Sequence, residues 1–439
     1  MPVSIQWNLT MKDAKPAVPH LTTALTGPLL QLEQQLLARR ADIECWFRRQ
    51  WRQTPAPFYA SVDLRNAGFK LAPVDTNLFP AGFNNLNTAF LPLCVQALNA
   101  AIEKMPDPVS RILIVPESHT RNMFYLESLA ALQTILEQAG LQVRLGSLNA
   151  EITTATRILL ESGREVCLEP LQRHGRRLGV DDYDPDLVLL NNDLSGGLPE
   201  IFRDVEQVIL PPPAMGWAQR LKSVHFAHYR DAADEFAGVL DIDPWLVQPL
   251  FRNCGEVDFM HGEGAVCLHV NVEALLKGIA EKYAEYGIEQ QPFVFIKADA
   301  GTYGMGVMSV YSADELLELN RKQRTRMSKA KEGVKISNVI IQEGVYTSET
   351  WGEPGHVAEP VVYLIDNKVV GGFYRVHTKR GVNENLNAPG MRFEPLAFAE
   401  CCNTPDPSLD PDAHPNRFYA YGVIARLASL AAAREMAEV

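Results

Sequence analysis

The sequence has no apolar run of membrane-spanning length, and its first residues, MPVSIQWNLTMKDAKP, lack the apolar core of a signal peptide. A cytoplasmic protein with no membrane partner is therefore expected. Cysteine is scarce and poorly spaced: there are seven, no C-x-x-C pair, and only Cys401 and Cys402 are close together. Adjacent cysteines rarely pair, so a disulfide framework and a zinc site are both disfavoured and a reducing compartment fits. None of the seven sits in a recognisable nucleophile setting, which argues against a covalent thiol mechanism. Excess positive charge is missing as well. Lys and Arg number 41 against 53 Asp and Glu, a net charge of −12. That balance disfavours phosphate-backbone binding and so a nucleic-acid partner. Internal repeats and long low-complexity segments are absent.

What is present is a globular composition, 46% hydrophobic and 21% charged, over 439 residues, too long for one small core. A helix is expected over 28–52, ended by Pro55 and Pro57, then a strand from Phe58 to Leu64 and a helix from Leu91 to Ile102. Arg111 to Val115 reads as a buried strand, Met123 to Ala139 as a helix stopped by Gly140, and Leu141 to Leu145 as a second strand. Strand, helix and strand at this spacing make a βαβ unit and a parallel sheet. Asp186 to Leu190 is a further buried strand, and three prolines at 211–213 mark a boundary. Helices are expected near Trp217 to Tyr229 and over Val272 to Tyr286. Val339 to Glu343 is a strand, Val361–Ile365 and Val369–His377 form a hairpin around Asp366-Asn367, and Arg417 to Met436 is a final helix. Arg321 to Lys335 carries seven basic residues against one acidic and reads as a solvated helix face.

The stretch FIKADAGTYGMGVMSV, residues 295–310, combines a strand-end lysine, Lys297, with Gly301, Gly304 and Gly306 and a second β-branched run. In a Walker loop the lysine follows the glycines and opens a helix; in a dinucleotide fingerprint the glycines themselves open the helix. Here the helix comes only after the second strand, where Ser312 and Glu315 make a capping box. The unit is a glycine-tipped β-hairpin. It is either an ordinary loose hairpin or a flap whose N–H groups close over a polyphosphate.

A lysine-bearing strand, a glycine flap, a helix and a strand ending in Gln342-Glu343 resemble the ATP-grasp ligases. The resemblance implies that Lys297 holds ATP phosphate and that the Gln342-Glu343 strand contacts adenine. Lys222, in WAQRLK, stands where that fold has its other ATP lysine, although a helical lysine is equally unremarkable. VVYLIDNKVVGGFYRVHTKRGVNENLNAPG is similar to the hairpin and loop that line the phosphoryl site of bacterial glutathione synthetase, placing Arg375 and Asn385 there. The whole chain resembles the proteobacterial type of glutamate–cysteine ligase, most specifically in PFYASVDLRNAGFKLAPVDTNLFPAGFNN. That resemblance implies small-molecule substrates, ATP, L-glutamate and L-cysteine, with Mg2+ as cofactor. Glutathione synthetase, another carboxylate–amine ligase, or a non-catalytic nucleotide-binding protein are the alternatives, and the oligomeric state stays open, a homo-oligomer included.

One departure is informative. ATP-grasp ligases close with a hairpin carrying an acidic residue on one strand and an acidic-x-Asn pair on the next, whereas this chain ends in a helix. The missing pattern occurs early: Asp63 on one strand, a turn at Gly68, then Asp75-Thr76-Asn77. A circularly permuted ATP-grasp-like α/β fold is expected, with a parallel-sheet leading domain. Its parts would be 1–100 (helix and metal hairpin), 105–213, 214–345 (ATP-binding, with the flap) and 346–439 (catalytic hairpin, phosphate loop and final helix). Asp63, Asp75 and Asn77 would supply magnesium oxygens, Asp75 and Asn77 from one face of a strand; the bland alternative is Asx-turn chemistry beside Pro73 and Pro80. Should they lie far from Lys297, ligands would be sought around Glu359, Glu384 and Asn387. Arg65 and Lys70 are either exposed hairpin charges or binders of substrate carboxylates. Glu117, His119 and Arg121 follow a buried strand at the carboxyl edge, where α/β sheets take ligands, although His119 is equally a capping residue. His225, His228 and His261 have no ligand spacing.

Overall fold

The computed structural model describes residues 27–118, 122–301, 306–328, 338–352, 355–395 and 414–439. It is a mixed α/β protein built on three main sheets. The first joins distant parts of the chain. Its strands run in the order Met391–Pro395, Lys368–His377, His356–Ile365, Tyr59–Asn66 and Leu71–Asn77, every neighbouring pair antiparallel. The early hairpin is thus stitched onto the late one, with Asp63 opposite Val361 on one side and Asp75 on the other.

The second sheet is largely parallel, in the order Val208–Leu210, Leu187–Asn191, Arg111–Pro116, Gln142–Ser147 and Glu165–Pro170, with Thr156–Leu159 antiparallel at the edge. Ile112 to Val115 and Leu187 to Leu190 are fully buried, as expected of strands covered on both faces. The third sheet is antiparallel: Phe251–Glu256, Asn338–Glu343, Val294–Ala298 and Val307–Val310. The last two strands form the expected glycine-tipped hairpin, with Lys297 opposite Val307. Gly301 and Gly306 sit at its tip with φ of 98° and 62°, a left-handed conformation that costs a side-chain-bearing residue free energy. Gly304 lies outside the described residues.

Several expected helices have different bounds: the final one begins at His414, not Arg417, and the one after Ser312 is a short 3-10 turn, Ala313–Leu316. The helix expected over 28–52 is two, Pro28–Ala38 and Arg40–Gln53, because the backbone turns at Arg39 (φ −102°, ψ 18°). The helix expected from Trp217 is Lys222–Leu240. Its start is fixed by Asp299, whose carbonyl accepts the Lys222 N–H at 2.8 Å and whose carboxylate accepts the Ser223 N–H at 2.7 Å and Ser223 Oγ–H at 2.7 Å. The helix expected from Val272 begins at Ala265. Of the basic stretch, Arg321–Met327 is helical with an exposed face; most of the rest is outside the described residues. The final helix, His414–Met436, is buried from Phe418 to Ala433 and packs on both the Lys222–Leu240 helix and the Leu71–Asn77 strand. Its buried Arg426 is answered by Glu44 at 2.8 and 2.9 Å, as a buried charge requires.

Candidate active site

A cleft lies between the first and third sheets. Its walls include Asp63, Arg65, Asp75, Lys222, Lys297, Gly301, Arg375 and Asn385, with Glu359 and Asn387. Chain segments near residues 63, 222, 297 and 375 therefore meet at one place. The Tyr59–Asn66 strand positions Asp63, and Asp75 stands directly opposite it across the hairpin. Beyond that pair the register slips, because Leu64 faces Pro73 and leaves Val74 as the extra residue of a β-bulge. Pro73 has no N–H to donate, so the bulge suits it. The Val74 carbonyl, free of the ladder, accepts from Lys297 Nζ at 3.0 Å, and Gln342 Oε1 accepts from the same ammonium at 2.5 Å.

The charges interlock. Arg375 Nη1 donates to Asp63 at 2.9 Å and to Glu359 at 2.6 Å, and Arg65 Nε donates to the other Glu359 oxygen at 3.0 Å. Lys222 Nζ approaches Asp75 at 3.4 Å and lies 3.6 Å over the Trp217 ring. Burial pushes Lys297 down to about 8, only partly offset by Asp75. Burial lowers Lys222 likewise, against Asp75. Burial works to raise Asp75, yet Lys222, Lys297 and Arg220 outweigh it and hold the carboxyl below its usual range. Asp63 is raised, burial prevailing over Arg375. Burial opposes the charge of Arg375 too, but Asp63 and Glu359 keep it above the ordinary arginine range. Crowded buried cations of depressed basicity are what an anion of high charge would relieve.

Some expected site residues go elsewhere. Lys70 is neither an exposed hairpin charge nor a lining residue of this cleft. It is fully buried, donates to Glu343 at 2.9 Å and stacks 4.1 Å over the Trp245 ring. Glu343 also accepts from Trp245 Nε1 at 3.1 Å and the Leu250 N–H at 2.8 Å, so its carboxylate is committed to the core. Arg65 is buried but stays at the cleft. Gly306 borders an adjoining groove with Asn385 and Asn387. Glu117 and Asn77 line a neighbouring chamber. His119 and Arg121 lie outside the described residues. Sequence reasoning missed Asp299 and Trp217. The signal for Asp299 was indirect: no residue near Leu221 can cap the helix that Lys222 opens, so the cap had to come from afar.

The family described as glutamate–cysteine ligase (GshA) matches residues 33–436. The chain belongs to the glutamate–cysteine ligase family. The ligase joins glutamate to cysteine in the first step of glutathione synthesis, and ligases of this family use ATP. A crystal structure from Methylobacillus flagellatus KT carrying the name gamma-glutamylcysteine synthetase is 59% identical to it, with a TM-score of 0.89 over 96% of this chain and 99% of that one. Two remoter structures also match. D-alanyl-alanine synthetase A of Vibrio cholerae is 12% identical over 58% of this chain and 67% of that one, with a TM-score of 0.29. A glutathione synthetase-like effector of Globodera pallida is 11% identical over 80% and 79%, with a TM-score of 0.36. Scores so low carry no argument about the fold. The comparison with curated proteins gave no match. Among the described residues no helix is long and apolar enough to cross a membrane.

Proposed function

We propose that the cleft between the first and third sheets is where the ligase binds ATP and forms γ-glutamyl phosphate, in a circularly permuted ATP-grasp arrangement. The observation that carries this reading is the convergence of Lys222, Lys297 and Arg375 on two facing carboxylates beneath a glycine-tipped hairpin. The γ-phosphoryl group of ATP passes to a γ-carboxylate oxygen of glutamate, releasing ADP. The cysteine amine then attacks the acyl carbon, phosphate leaves, and the amine proton is lost as the amide forms. Lys222, Lys297 and Arg375 offset the charge gathered on the phosphoryl oxygens. Gln342 orients Lys297, Asn385 borders the phosphoryl position, and Gly301 lines the site where the acyl phosphate must be kept from water. The Gln342-Glu343 strand approaches adenine through its backbone, since the Glu343 carboxylate is engaged.

The donors present fit magnesium. Asp63 and Asp75 face one another and supply carboxylate oxygens, whereas Asn77 Oδ1 accepts the Phe79 N–H at 2.9 Å in an Asx-turn and lines the neighbouring chamber. Among the described residues no group of three or more His, Cys, Asp and Glu side chains could hold a metal. Asp63 and Asp75 are the residues that would hold a hard cation there. When bound there, Mg2+ would neutralise phosphate charge. The pairing of Tyr59–Asn66 with His356–Ile365 supports the permutation. The divisions near 105, 214 and 346, and a cytoplasmic location, belong to the same reading.

The test is phosphate release with ATP, Mg2+, L-glutamate and L-cysteine. Lys297→Met should raise the KM for ATP roughly 10-fold or more, the scale of a lost charge-assisted hydrogen bond. An unchanged KM for ATP would remove Lys297, and the cleft with it, from ATP binding.

A further inference from the structure

The carboxyl edge of the parallel sheet opens into a chamber whose opposite wall is the first sheet. The chamber joins the cleft through Asp63, Asp75 and Arg375, which line both. On the parallel-sheet side it carries Glu117 and Asp193. These follow the strands Arg111–Pro116 and Leu187–Asn191, which are hydrogen-bonded neighbours with Pro116 opposite Asn191. From Arg111–Pro116 the chain crosses to Gln142–Ser147 on one side, while Leu187–Asn191 and Val208–Leu210 lie on the other. Glu117 and Asp193 therefore flank the point where strand order reverses, the place where doubly wound sheets take ligands. Their placement is rigid. Glu117 accepts the Asp193 N–H at 3.0 Å, and the Tyr125 hydroxyl accepts the Glu117 N–H at 2.9 Å while donating to the Asn191 carbonyl at 2.8 Å.

Two donors lining the same chamber are buried without a partner among the described residues: Nε of Arg375 and Nε1 of Trp217. Arg375 is 8% exposed and Trp217 2%, and donors left unpaired are costly, so a small side-chain movement that brings them to an acceptor in the chamber would be favourable. Carboxylates on one side and unpaired donors elsewhere fit a zwitterion. Chemistry then chooses between the two amino acids that are joined. Cysteine attacks through its amine, which must be neutral and reach the acyl carbon. An amine held by carboxylates stays protonated and cannot attack. Glutamate keeps its α-amine through the reaction, and its γ-carboxylate must reach the phosphoryl group.

We infer that this chamber is the glutamate subsite, with Glu117 and Asp193 holding the α-ammonium and Arg375 directing the γ-carboxylate into the cleft. The assignment rests on reading the adjoining cleft as the ATP site. It is tested by measuring the KM for each of the three substrates in Glu117→Gln, with L-glutamate and with glutarate, which lacks the α-ammonium. Asp193→Asn is run alongside, and melting curves accompany both variants. Glu117→Gln should raise the KM for L-glutamate roughly 10- to 100-fold, the scale of a hydrogen bond to a charged group, and leave those for cysteine and ATP within about twofold. Use of glutarate should stay at the wild-type level, so the preference for glutamate falls by the same factor. If Glu117→Gln does not fold, Asp193→Asn carries the test with the same expectations. An unchanged KM for L-glutamate with the preference retained overturns the assignment; a raised KM for cysteine instead gives the chamber to cysteine. Lys297→Met measured in parallel separates the two readings. A normal KM for ATP there, beside a glutamate-selective defect in Glu117→Gln, defeats the ATP cleft and not the chamber.

Discussion

Asp63 and Asp75 face each other in register across the first hairpin, and each is answered by a different cation: Asp63 by Arg375 at 2.9 Å, Asp75 by Lys222 at 3.4 Å. The two carboxylates are thus held close together in the free protein instead of being forced apart by repulsion.

Asp75→Asn should lower kcat by at least about 100-fold, as loss of a preorganised electrostatic group does. Its melting temperature without ligand should also fall, because Lys222 and Lys297 lose the carboxylate that supports their charge. Mg2+ with ATP should stabilise the wild type by about 2.7 kcal/mol at a hundred times Kd and so raise its melting temperature. Differential scanning calorimetry should find most of that gain missing in the variant.

Lys297 carries a pH signature. Burial lowers it to about 8 in the free protein, and bound triphosphate restores its preference for the charged form. Below pH 8 the ammonium is present before ATP arrives. Above it, binding must take up a proton, so affinity falls as pH rises. Calorimetric titration in buffers of different ionisation enthalpy should detect proton uptake at pH 9 and none at pH 7.

Arg220 grips Glu435 with Nε and Nη2, at 3.0 Å and 2.9 Å, tying the final helix to the segment that leads into Lys222. Burial works to raise Glu435, but Arg220 and His225 outweigh it and hold it at about 2. A depressed carboxyl stabilises the fold above its unfolded pKa, and that contribution is lost as pH falls from about 4.5 towards 2, about 3 kcal/mol in all. Glu435→Gln should melt well below the wild type at pH 7, and the gap should narrow between pH 5 and pH 3.

Lys70→Met leaves Glu343 buried without its cation. The cost should be about 3–5 kcal/mol, as for other broken buried pairs, read by chemical denaturation. The KM for ATP should stay near the wild-type value at a temperature where the variant is folded, because the ammonium faces Trp245 and not the cleft.

The legible parts of this protein were those where local pattern and burial agree. The apolar runs ending at Val115, Leu190 and His377 are buried strands, and the capping box at Ser312 and Glu315 forms as its spacing implies. The Asp63, Asp75, Lys222, Lys297 and Arg375 set, drawn from separate motifs, meets at one cleft. Illegible were features decided by distant partners. Phe251–Glu256, FRNCGE, has no alternation and a bulge between Asn253 and Gly255; it is a strand because it pairs with Asn338–Glu343. Lys70 looks like a surface charge until Glu343, 273 residues away, is known to face it.

The stitching of an early hairpin onto a late one also governs how the chain can be made. Arg65 and its partner Glu359 are 294 residues apart. At about 5–20 residues per second, a ribosome needs roughly 15 to 60 s to travel from one to the other. For that interval the outer edge of Tyr59–Asn66 has no strand to pair with, while the Arg111–Pro116 and Gln142–Ser147 unit, whose partners are close in sequence, is free to fold. The first sheet is therefore the last to close on the nascent chain, and the exposed edge of its first hairpin is where synthesis leaves this ligase most open to wrong partners.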